Sequence, residues 1–244
     1  MKTGSTLPSS TEKERAVQGM FTSIAHRYDL NNTLLSMGLH HFWKRLAVDL
    51  AGVKTGDRVL DLCTGTGDLA LILSGKVGES GRVIGVDLNE RMLEFGREKI
   101  RKLRRTNITL ISGNAEKLQF GDGAFSALTV AFGIRNVTHV PGALREMFRV
   151  LKPGGRAVCL EFSRPVFAPL RTLYNFYSFR VLPQIGRLVA RDRTGVYDYL
   201  PASIRAFPDQ ESFRDLFIES GFSDVSYRNL SGGIVAIHVA VKPG

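Results

Sequence analysis

Cysteine and long apolar runs are scarce in this sequence, and their scarcity excludes two classes of protein. Two cysteines among 244 residues are too few for a disulfide framework, which favours a reducing compartment. No apolar run approaches the roughly 18 residues that a transmembrane helix needs. Residues 1–15 contain no apolar stretch, so we expect no secretory signal there. Internal repeats are also absent, and the sequence predicts one globular, cytoplasmic domain.

Basic residues, in contrast, are in excess. Lysine and arginine number 33 against 23 acidic residues, a net charge of +10. Such an excess is compatible with a nucleic-acid partner, an anionic membrane surface or an acidic substrate, and it also favours solubility by itself. The position of the charge along the chain therefore matters more than its sum.

Apolar runs and helical patterns alternate through the middle of the chain. The runs that predict β-strands cover 58–62, 82–87, 108–112, 124–131 and 157–162. The segments that predict helices between them cover 68–75, 89–105, with Asn89 as N-cap, and 138–151. Strands that alternate with helices predict an α/β, Rossmann-like fold, a mostly parallel sheet with helices on both faces.

The N-terminal part is predicted to be helical rather than mixed. Apolar residues recur at helical spacing over 16–52, with a predicted break at Asn31–Asn32. Residues 1–15 are polar and predict a loose arm that becomes helical from about Thr11. We expect these helices to cover one edge of the sheet.

The C-terminal part ends in a hairpin pattern. A helix is predicted over 210–220, followed by β-rich runs at 224–230 and 234–241 that Ser-Gly-Gly separates. A hairpin makes the last strand antiparallel in an otherwise parallel sheet. The predicted single domain therefore consists of an arm, a helical cover, a cofactor-binding core, an insert, and a final helix with hairpin, at 1–15, 16–52, 53–162, 163–208 and 209–244.

A glycine-rich turn after the first predicted strand is the strongest local signal. Residues 59–68 read Val-Leu-Asp-Leu-Cys-Thr-Gly-Thr-Gly-Asp, and Gly65 and Gly67 let the backbone approach a ligand closely. Asp87 ends the next strand, where a carboxylate can accept hydrogen bonds from both hydroxyls of a ribose. A tight turn with an unrelated strand-end aspartate is the structural alternative.

Two cofactor classes use such a turn, and charge distinguishes them. A dinucleotide places its pyrophosphate at the helix N-terminus, where acidic neighbours are unfavourable. Asp61 and Asp68 flank this turn. Acidic residues favour a cofactor that carries an ammonium and a sulfonium, so S-adenosylmethionine is preferred over NAD.

The turn, Asp87 and the segment Asn114-Ala115-Glu116 together resemble the seven-stranded, S-adenosylmethionine-dependent methyltransferases. In that superfamily the turn receives the methionine part, the acid of the second strand binds the ribose, and the third segment lies beside the adenine. The resemblance implies a cofactor site at Asp61, Gly65, Thr66, Gly67, Asp87, Asn114 and Ala115.

Further motifs resemble one family within it, the ubiquinone/menaquinone biosynthesis C-methyltransferases. They lie at 28–43 (from Tyr-Asp-Leu-Asn-Asn), 132–137 (Phe-Gly-Ile-Arg-Asn-Val), 149–163 (from Arg-Val-Leu-Lys-Pro-Gly-Gly), 177–183, 203–208 and 232–236. The resemblance spans about residues 20–242. It implies C-methylation of a reduced polyprenyl quinone, namely demethylmenaquinol, a 2-polyprenyl-6-methoxy-benzoquinol, or both. A methyltransferase for another small lipid or aromatic substrate is the alternative.

Candidate catalytic residues follow from the same motifs. Arg135 could stabilise a developing phenolate or orient a water, Asn136 could hold a ring oxygen, and Tyr28 comes from the predicted cover. His40 has a suitable unperturbed pKa for a base. Each has a structural alternative: an ion pair for Arg135, a core aromatic for Tyr28, and helix packing for His40. The histidines show no metal-ligand spacing, and no metal site is predicted.

The insert combines aromatic with basic residues. Residues 164–205 contain seven arginines and two aspartates, half of the net charge of the chain. An apolar stripe with a cationic margin is typical of an interfacial or isoprenoid-binding helix. We expect a lid lined by Phe176, Tyr177 and Phe179, with peripheral contact to the inner face of a membrane. A core-covering helix with solvated arginines is the alternative. The exposed apolar surface of the insert would also allow a homodimer.

Three other functional classes compete with this interpretation. A nucleic-acid methyltransferase fits the charge, but the sequence lacks an RNA-binding module and base-methylating motifs, so no nucleic-acid partner is predicted. The acidic turn disfavours an NAD-dependent oxidoreductase. A non-catalytic S-adenosylmethionine-binding protein is the third.

Overall fold

The computed structural model describes residues 10–177, 180, 184 and 196–244. Its centre is a seven-stranded sheet in the order β3-β2-β1-β4-β5-β7-β6. Six strands run in one direction, and β7 lies antiparallel between β5 and β6. The strands are β1 (Arg58–Leu62), β2 (Arg82–Asp87), β3 (Ile108–Ser112), β4 (Phe125–Ala131), β5 (Leu151–Phe162), β6 (Ser223–Leu230) and β7 (Val235–Val241). The predicted mostly parallel sheet with an antiparallel last strand is confirmed.

Helices precede the sheet, connect its parallel strands and lead into the final hairpin. Those in the described ranges are α1 (Ser10–Ile24), α2 (Tyr28–Leu35), α3 (Leu39–Leu50), α4 (Asp68–Val77), α5 (Glu90–Lys102), α6 (Val140–Val150), α7 (Ala168–Phe176), α8 (Val196–Ala206) and α9 (Gln210–Glu219). Short 3-10 turns lie at Ala25–Arg27, Ile134–Asn136 and Ser231–Gly233. Asn89 caps α5 as predicted, since its side chain accepts a hydrogen bond from the Met92 amide.

The core has two apolar layers, one on each face of the sheet. On one face, α3, α4 and α5 pack their buried Trp43, Leu73 and Leu93 against the strands. On the other face, α6 and α9 contribute Met147 and Phe217. Burial on both faces explains why the central strands consist largely of apolar residues.

One prediction about the N-terminal helices is wrong. The chain does not break at Asn31–Asn32, which lie inside α2; the helices are separated at Ala25–Arg27 and at the turn before α3. Gly38 in that turn has a φ of +76°, which favours glycine and ends the helical path. The arm was predicted to become helical from about Thr11, and the helix begins one residue earlier, at Ser10.

One strand begins earlier than predicted. Helix α6 ends at Val150, close to the prediction, but β5 begins directly at Leu151 instead of at residue 157. Lys152-Pro153-Gly154-Gly155 stops the helix and continues into the strand. The amide of Gly154 donates to the Lys242 carbonyl beyond β7, which keeps this glycine-containing stretch in the sheet.

Part of the predicted lid lies outside the described residues, including Phe179 and Arg187, Arg191 and Arg193. In the part that is described, α7 ends at Phe176, which is exposed, and Tyr177 is half-buried. No helix among the described residues is long and apolar enough to cross a membrane.

Candidate active site

A cleft lies at the sheet edge where β1, β2 and β4 end. Ligands of open parallel sheets bind at this edge because the loops after the strands converge there. The floor of the cleft comes from the strand ends and the cover from α1 and α2. Its lining residues are Glu14, Val17, Gln18, Phe21, Tyr28, Cys63, Gly65, Val86, Asp87, Leu88, Asn89, Met92, Gly113, Asn114, Ala115, Glu116, Ala131, Phe132, Gly133, Asn136, Val137 and Thr138.

Asp87 holds the glycine turn to the neighbouring strand. Its Oδ2 accepts a hydrogen bond from the Gly65 amide at 2.8 Å, and its Oδ1 accepts one from the Asn89 amide at 2.8 Å. Burial raises the pKa of Asp87, and the backbone donors partly oppose that rise. Gly65 has a φ of +55°, and a Cβ there would lie 3.3 Å from Met92 Cε, inside the cleft. The turn therefore needs glycine at this position.

Asp61 lies beneath the turn and not on the cleft surface. Its two carboxylate oxygens accept hydrogen bonds from the hydroxyls of Thr64, at 2.6 Å, and Thr129, at 2.7 Å. Burial raises the pKa of Asp61 to about 6. In this position Asp61 supports the backbone of the turn through Thr64.

Thr66 and Gly67 face the opposite side of the turn from the cleft. The Thr66 hydroxyl donates to Asp29 Oδ1 at 2.6 Å, and a Cβ on Gly67 would meet Leu110 and Ile100 of the core. Of the predicted cofactor residues, the structure therefore brings Gly65, Asp87, Asn114 and Ala115 to the cleft surface, whereas Asp61, Thr66 and Gly67 shape its wall from behind.

Helix α1 is attached to the cofactor edge by a side chain that the sequence analysis treated only as a cap. Asn89 Nδ2 donates to the Gln18 carbonyl at 3.0 Å and to Thr22 Oγ1 at 3.0 Å. The same side chain caps α5 through its oxygen. An N-cap asparagine has a free amide nitrogen, and that group is the only sequence signal for this contact.

A group of ionic contacts attaches α2 to the back of the glycine turn. Lys99 Nζ donates to Asp29 of α2, to Asp68 Oδ1 at 2.8 Å and to Thr66 Oγ1 at 3.2 Å. Lys44 Nζ donates to Asp68 Oδ2 at 2.7 Å. We call these five residues the latch. Burial would raise the pKa of Asp68, but the two lysines hold it well below its usual range.

Tyr28 reaches the cleft from the start of α2. Burial raises the pKa of its phenol to about 12, and a hydrogen bond with Asn32 only partly offsets that effect. The side chain therefore stays protonated at neutral pH. Tyr28 can donate a hydrogen bond to a ligand, but it cannot accept a proton as a base.

Arg135 and Asn136 are neighbours in the chain but not in the cleft. Asn136 lines the cleft, and its Oδ1 accepts a hydrogen bond from the Tyr199 hydroxyl at 3.0 Å. Arg135 is buried below it, where Nη1 donates to Glu161 Oε1 at 2.7 Å and the guanidinium lies 5.3 Å from the centre of the Phe162 ring. Its Nε has no partner in the described part of the chain. Arg135 thus makes the ion pair that was its structural alternative.

His40 is not part of the cleft lining. It is buried in α3, where its Nδ1 lies 2.7 Å from the Ser36 hydroxyl. Burial, together with the nearby Lys44, lowers the pKa of His40 to about 4. The helix-packing alternative describes this residue.

Backbone strain marks the floor of the cleft, at positions that the sequence analysis did not select. Cys63, after β1, and Phe132, after β4, have φ values of +52° and +57°, which non-glycine residues seldom adopt. A Cβ on Gly133 would lie 2.2 Å from Cys63 Cβ. Strained residues of this kind cluster at ligand sites, where the surroundings hold them in place.

A family model describes the chain almost from end to end. The model of the ubiE/COQ5 methyltransferase family matches residues 9–242. The chain belongs to the ubiE/COQ5 methyltransferase family. It is 50% identical over 232 residues to a ubiquinone/menaquinone biosynthesis C-methyltransferase UbiE of Cronobacter sakazakii, covering 95% of this chain and 92% of that protein. The UbiE protein of Yersinia pestis strain Pestoides F is 52% identical with the same coverage.

Solved structures agree with the ubiE/COQ5 assignment at the level of the fold. A SAM-dependent methyltransferase from Aquifex aeolicus has a TM-score of 0.62 at 20% identity, covering 82% of this chain and 89% of that one. Phosphoethanolamine N-methyltransferase 2 of Haemonchus contortus, in complex with S-adenosyl-L-methionine, has a TM-score of 0.60 at 16% identity, with 82% and 52% covered. This ubiE/COQ5 chain is a methyltransferase that depends on S-adenosylmethionine.

The cleft of this ubiE/COQ5 protein fits that cofactor, although for a different electrostatic reason from the predicted one. Asp61 and Asp68, which favoured S-adenosylmethionine over NAD, do not line the cleft, and Asp68 is paired with two lysines. The acidic residues on the cleft surface are Glu14, Asp87 and Glu116. The described lining contains no lysine or arginine, so the surface suits a cationic cofactor.

Proposed function

We propose that the protein transfers the methyl group of S-adenosylmethionine to a ring carbon of a reduced polyprenyl quinone, with demethylmenaquinol and 2-polyprenyl-6-methoxy-1,4-benzoquinol as the leading substrates. The observation that carries this proposal is the identity of about half of all residues with proteins named UbiE, over 95% of the chain. A methyltransferase for another small aromatic or lipid substrate is the second candidate, since the fold alone would support it equally.

The cofactor, when bound, supplies an electrophilic methyl group on a sulfonium. The protein brings a ring carbon of the quinol into line with that methyl group and assists loss of the ring-hydroxyl proton, which makes the carbon nucleophilic. After transfer, the hydrogen on that carbon leaves as a proton and the ring oxygen regains one, which restores the aromatic quinol. No covalent bond between enzyme and substrate is needed. Gly65, Asp87, Asn114 and Ala115 are the residues proposed to hold the cofactor.

Two neutral donors are proposed to hold the quinol. The Tyr28 phenol and the Asn136 amide both line the cleft, on its cover and on its floor. A hydrogen bond from a neutral group to a phenolic oxygen stabilises the negative charge that develops there during the reaction. Arg135, paired with Glu161, is proposed to support the 3-10 turn that carries Asn136 and to add positive charge from below.

Methyl transfer to defined quinols tests the proposal. The full chain is incubated with methyl-labelled S-adenosylmethionine and each quinol, both reduced and oxidised. We expect labelled product only from the reduced forms, because the oxidised ring has no nucleophilic carbon. Turnover of a catechol or a fatty acid in place of both quinols would favour the second candidate.

We also propose that the surface of α7 contacts a membrane, where a polyprenyl quinol resides. Phe167, Leu173 and Phe176 are exposed apolar residues, 60% exposed or more, and the exposed Arg171 and Arg180 lie close to them in sequence. Such a segment suits the headgroup region of an anionic bilayer.

Vesicle binding tests this second proposal. Replacing Arg171 and Arg180 by serine is expected to weaken binding to vesicles that contain anionic lipid. The same change at Lys54, in the loop before β1, and at Arg82, where β2 begins, removes equal charge from the opposite edge of the sheet and is the control. Equal loss in both variants would contradict a specific α7 contact, as would a dimer in solution that buries α7.

A further inference from the structure

Helix α8 touches the substrate side of the cleft through one hydrogen bond. The Tyr199 hydroxyl lies 3.0 Å from Asn136 Oδ1 and donates to it. Tyr199 is half-buried, and α8 packs against the 3-10 turn Ile134–Asn136. Tyr199 therefore links α8 to the turn that carries Asn136.

This hydrogen bond determines which end of the Asn136 amide is available to a ligand. An amide side chain has one acceptor oxygen and one donor nitrogen, and an unconstrained amide can turn to present either. The oxygen of Asn136 is engaged by Tyr199, whereas its Nδ2 has no hydrogen-bond partner in the described part of the chain. The backbone is also fixed, since the Asn136 amide donates to the Gly133 carbonyl at 3.0 Å.

We propose that Tyr199 is a positioning residue that orients the Asn136 amide, so that Asn136 presents a hydrogen-bond donor to a ring oxygen of the substrate. The inference rests on the proposed function in that the oxygen belongs to a quinol. A donor stabilises a phenolate oxygen, whereas an exposed amide oxygen would repel it. Without Tyr199, both orientations of the amide become accessible.

The donating direction of this contact is stable over the working pH range. Burial raises the pKa of Tyr199 above its usual value, and the nearby Arg135 only partly opposes this. The hydroxyl therefore keeps its proton well above neutral pH. An asparagine amide does not titrate, so the pair has no protonation switch.

Tyr199→Phe removes the hydroxyl and keeps the ring. We expect kcat/KM for the quinol to fall about fivefold to tenfold, as the loss of one neutral hydrogen bond implies, with the Kd for S-adenosylmethionine unchanged. Tyr227→Phe is the control, since the half-buried Tyr227 also donates to a side chain, Glu211, but lies on β6. Thermal unfolding of both variants checks that the fold is retained.

A double-mutant cycle separates positioning from a general structural role. In an Asn136→Ala background, Tyr199→Phe should have no further effect on the methyl-transfer rate, because the residue that it orients is gone. Single-turnover measurements with excess enzyme keep slow variants measurable. Full additivity in this cycle, or a wild-type kcat/KM for Tyr199→Phe alone, would overturn the proposal.

A substrate-free measurement keeps this proposal distinct from the choice of substrate. The side-chain amide signals of Asn136, assigned in a ¹⁵N spectrum by their absence from Asn136→Ala, should shift in Tyr199→Phe and stay in place in Tyr227→Phe. Unshifted signals would refute the orientation by Tyr199. Failure of the wild type to methylate either quinol would instead refute the proposed substrate and leave the amide shift as the test of the contact.

Discussion

Cys63 and Gly133 show how two strand ends share the floor of the cleft. The ideal Cβ position of Gly133 lies 2.2 Å from Cys63 Cβ, and Cys63 itself has a φ of +52°. The loops after β1 and β4 can approach this closely only because one of the two residues has no side chain. This close approach brings Phe132 and Asn136 to the cofactor edge.

Gly133→Ala should therefore disturb the cleft. We expect the free energy of unfolding to fall by about 1–3 kcal/mol, as overpacking of a tight contact implies, and the affinity for S-adenosylmethionine to fall with it. Cys63→Gly in the same chain should restore part of both, because it removes the clashing Cβ at a position whose φ suits glycine. Chemical denaturation and calorimetry measure the two effects.

Gly75→Ala is the matched control for that experiment. Gly75 lies in α4 with nothing within 4 Å of its ideal Cβ, so alanine should leave stability unchanged or raise it slightly. If Gly133→Ala behaved like this control, the close approach of the two loops would not be needed for the cleft.

The places of residues could be predicted where the signal is local. Gly65 and Asp87 followed from a strand, a turn and a second strand end, and the Asn89 cap followed from its place before a helix. Asp61 and Asp68 could not be placed, because their partners Thr129 and Lys99 are remote in sequence. The local sequence shows that a carboxylate is present, but it does not show which side of the turn the carboxylate faces.

At the scale of elements, the latch joins the cover to the cofactor turn. Asp29 comes from α2, Lys99 from α5, Lys44 from α3, and Thr66 and Asp68 from the turn and the start of α4. The cover is held at a second point, where Asn89 donates a hydrogen bond to the Gln18 carbonyl of α1. Both contacts adjoin backbone that lines the cofactor site, so the position of the cover and the shape of that site are linked.

Lys99→Met should loosen this link. The change leaves Asp29 with only Thr66 and leaves Asp68 with only Lys44, in partly buried surroundings where loss of a charge partner is costly. We expect the Kd for S-adenosylmethionine to rise about tenfold and proteolysis within α1 and α2 to become faster. Isothermal calorimetry and limited proteolysis measure these changes.

Lys102→Met is the control. Lys102 lies on the same helix, three residues beyond Lys99, and forms an exposed pair with Glu98. Pairs of that kind contribute little. Cofactor affinity that is unchanged in Lys99→Met, or lowered equally in both variants, would contradict a specific role for the latch.

Element boundaries were predictable in the sheet and less so in the cover. Strands β1, β2 and β3 have the predicted bounds because buried parallel strands are short apolar runs between turns. The sequence does not set the N-terminal helices apart by turns in this way. Asn31–Asn32 suggested a break because asparagine is a weak helix former. Tertiary contacts of Tyr28 and Asp29 hold that helix in spite of its sequence.

At the scale of the whole molecule, the buried His238 contributes to the pH dependence of stability. His238 of β7 lies among Phe213, Phe217 and Tyr227, and its Nε2 contacts the Gln210 carbonyl. Burial lowers its pKa from 6.5 to about 4. Below pH 6.5 the histidine binds a proton in the unfolded chain but stays neutral in the folded protein. His238 therefore lowers the free energy of unfolding as the pH falls from 6.5 towards 4.

His238→Phe removes the contribution of His238, whereas His40 still titrates in both proteins. The stability of the wild type relative to the variant should decline by up to about 3 kcal/mol between pH 7 and pH 4. The difference between the two proteins is the useful quantity, because buried acids such as Asp61, with raised pKa values, titrate equally in both. Urea denaturation at several pH values provides it, and a constant difference would contradict the assignment.

The central claim is that this ubiE/COQ5-family protein methylates a carbon of a polyprenyl quinol. Reaction of the full chain with trideuteromethyl S-adenosylmethionine and reduced demethylmenaquinone, followed by NMR of the isolated product, tests it most directly. We predict one deuterated methyl group on the ring carbon, with both ring oxygens unmethylated. A deuterated methyl on oxygen, or no transfer to either this quinol or the methoxy-benzoquinol, would contradict it.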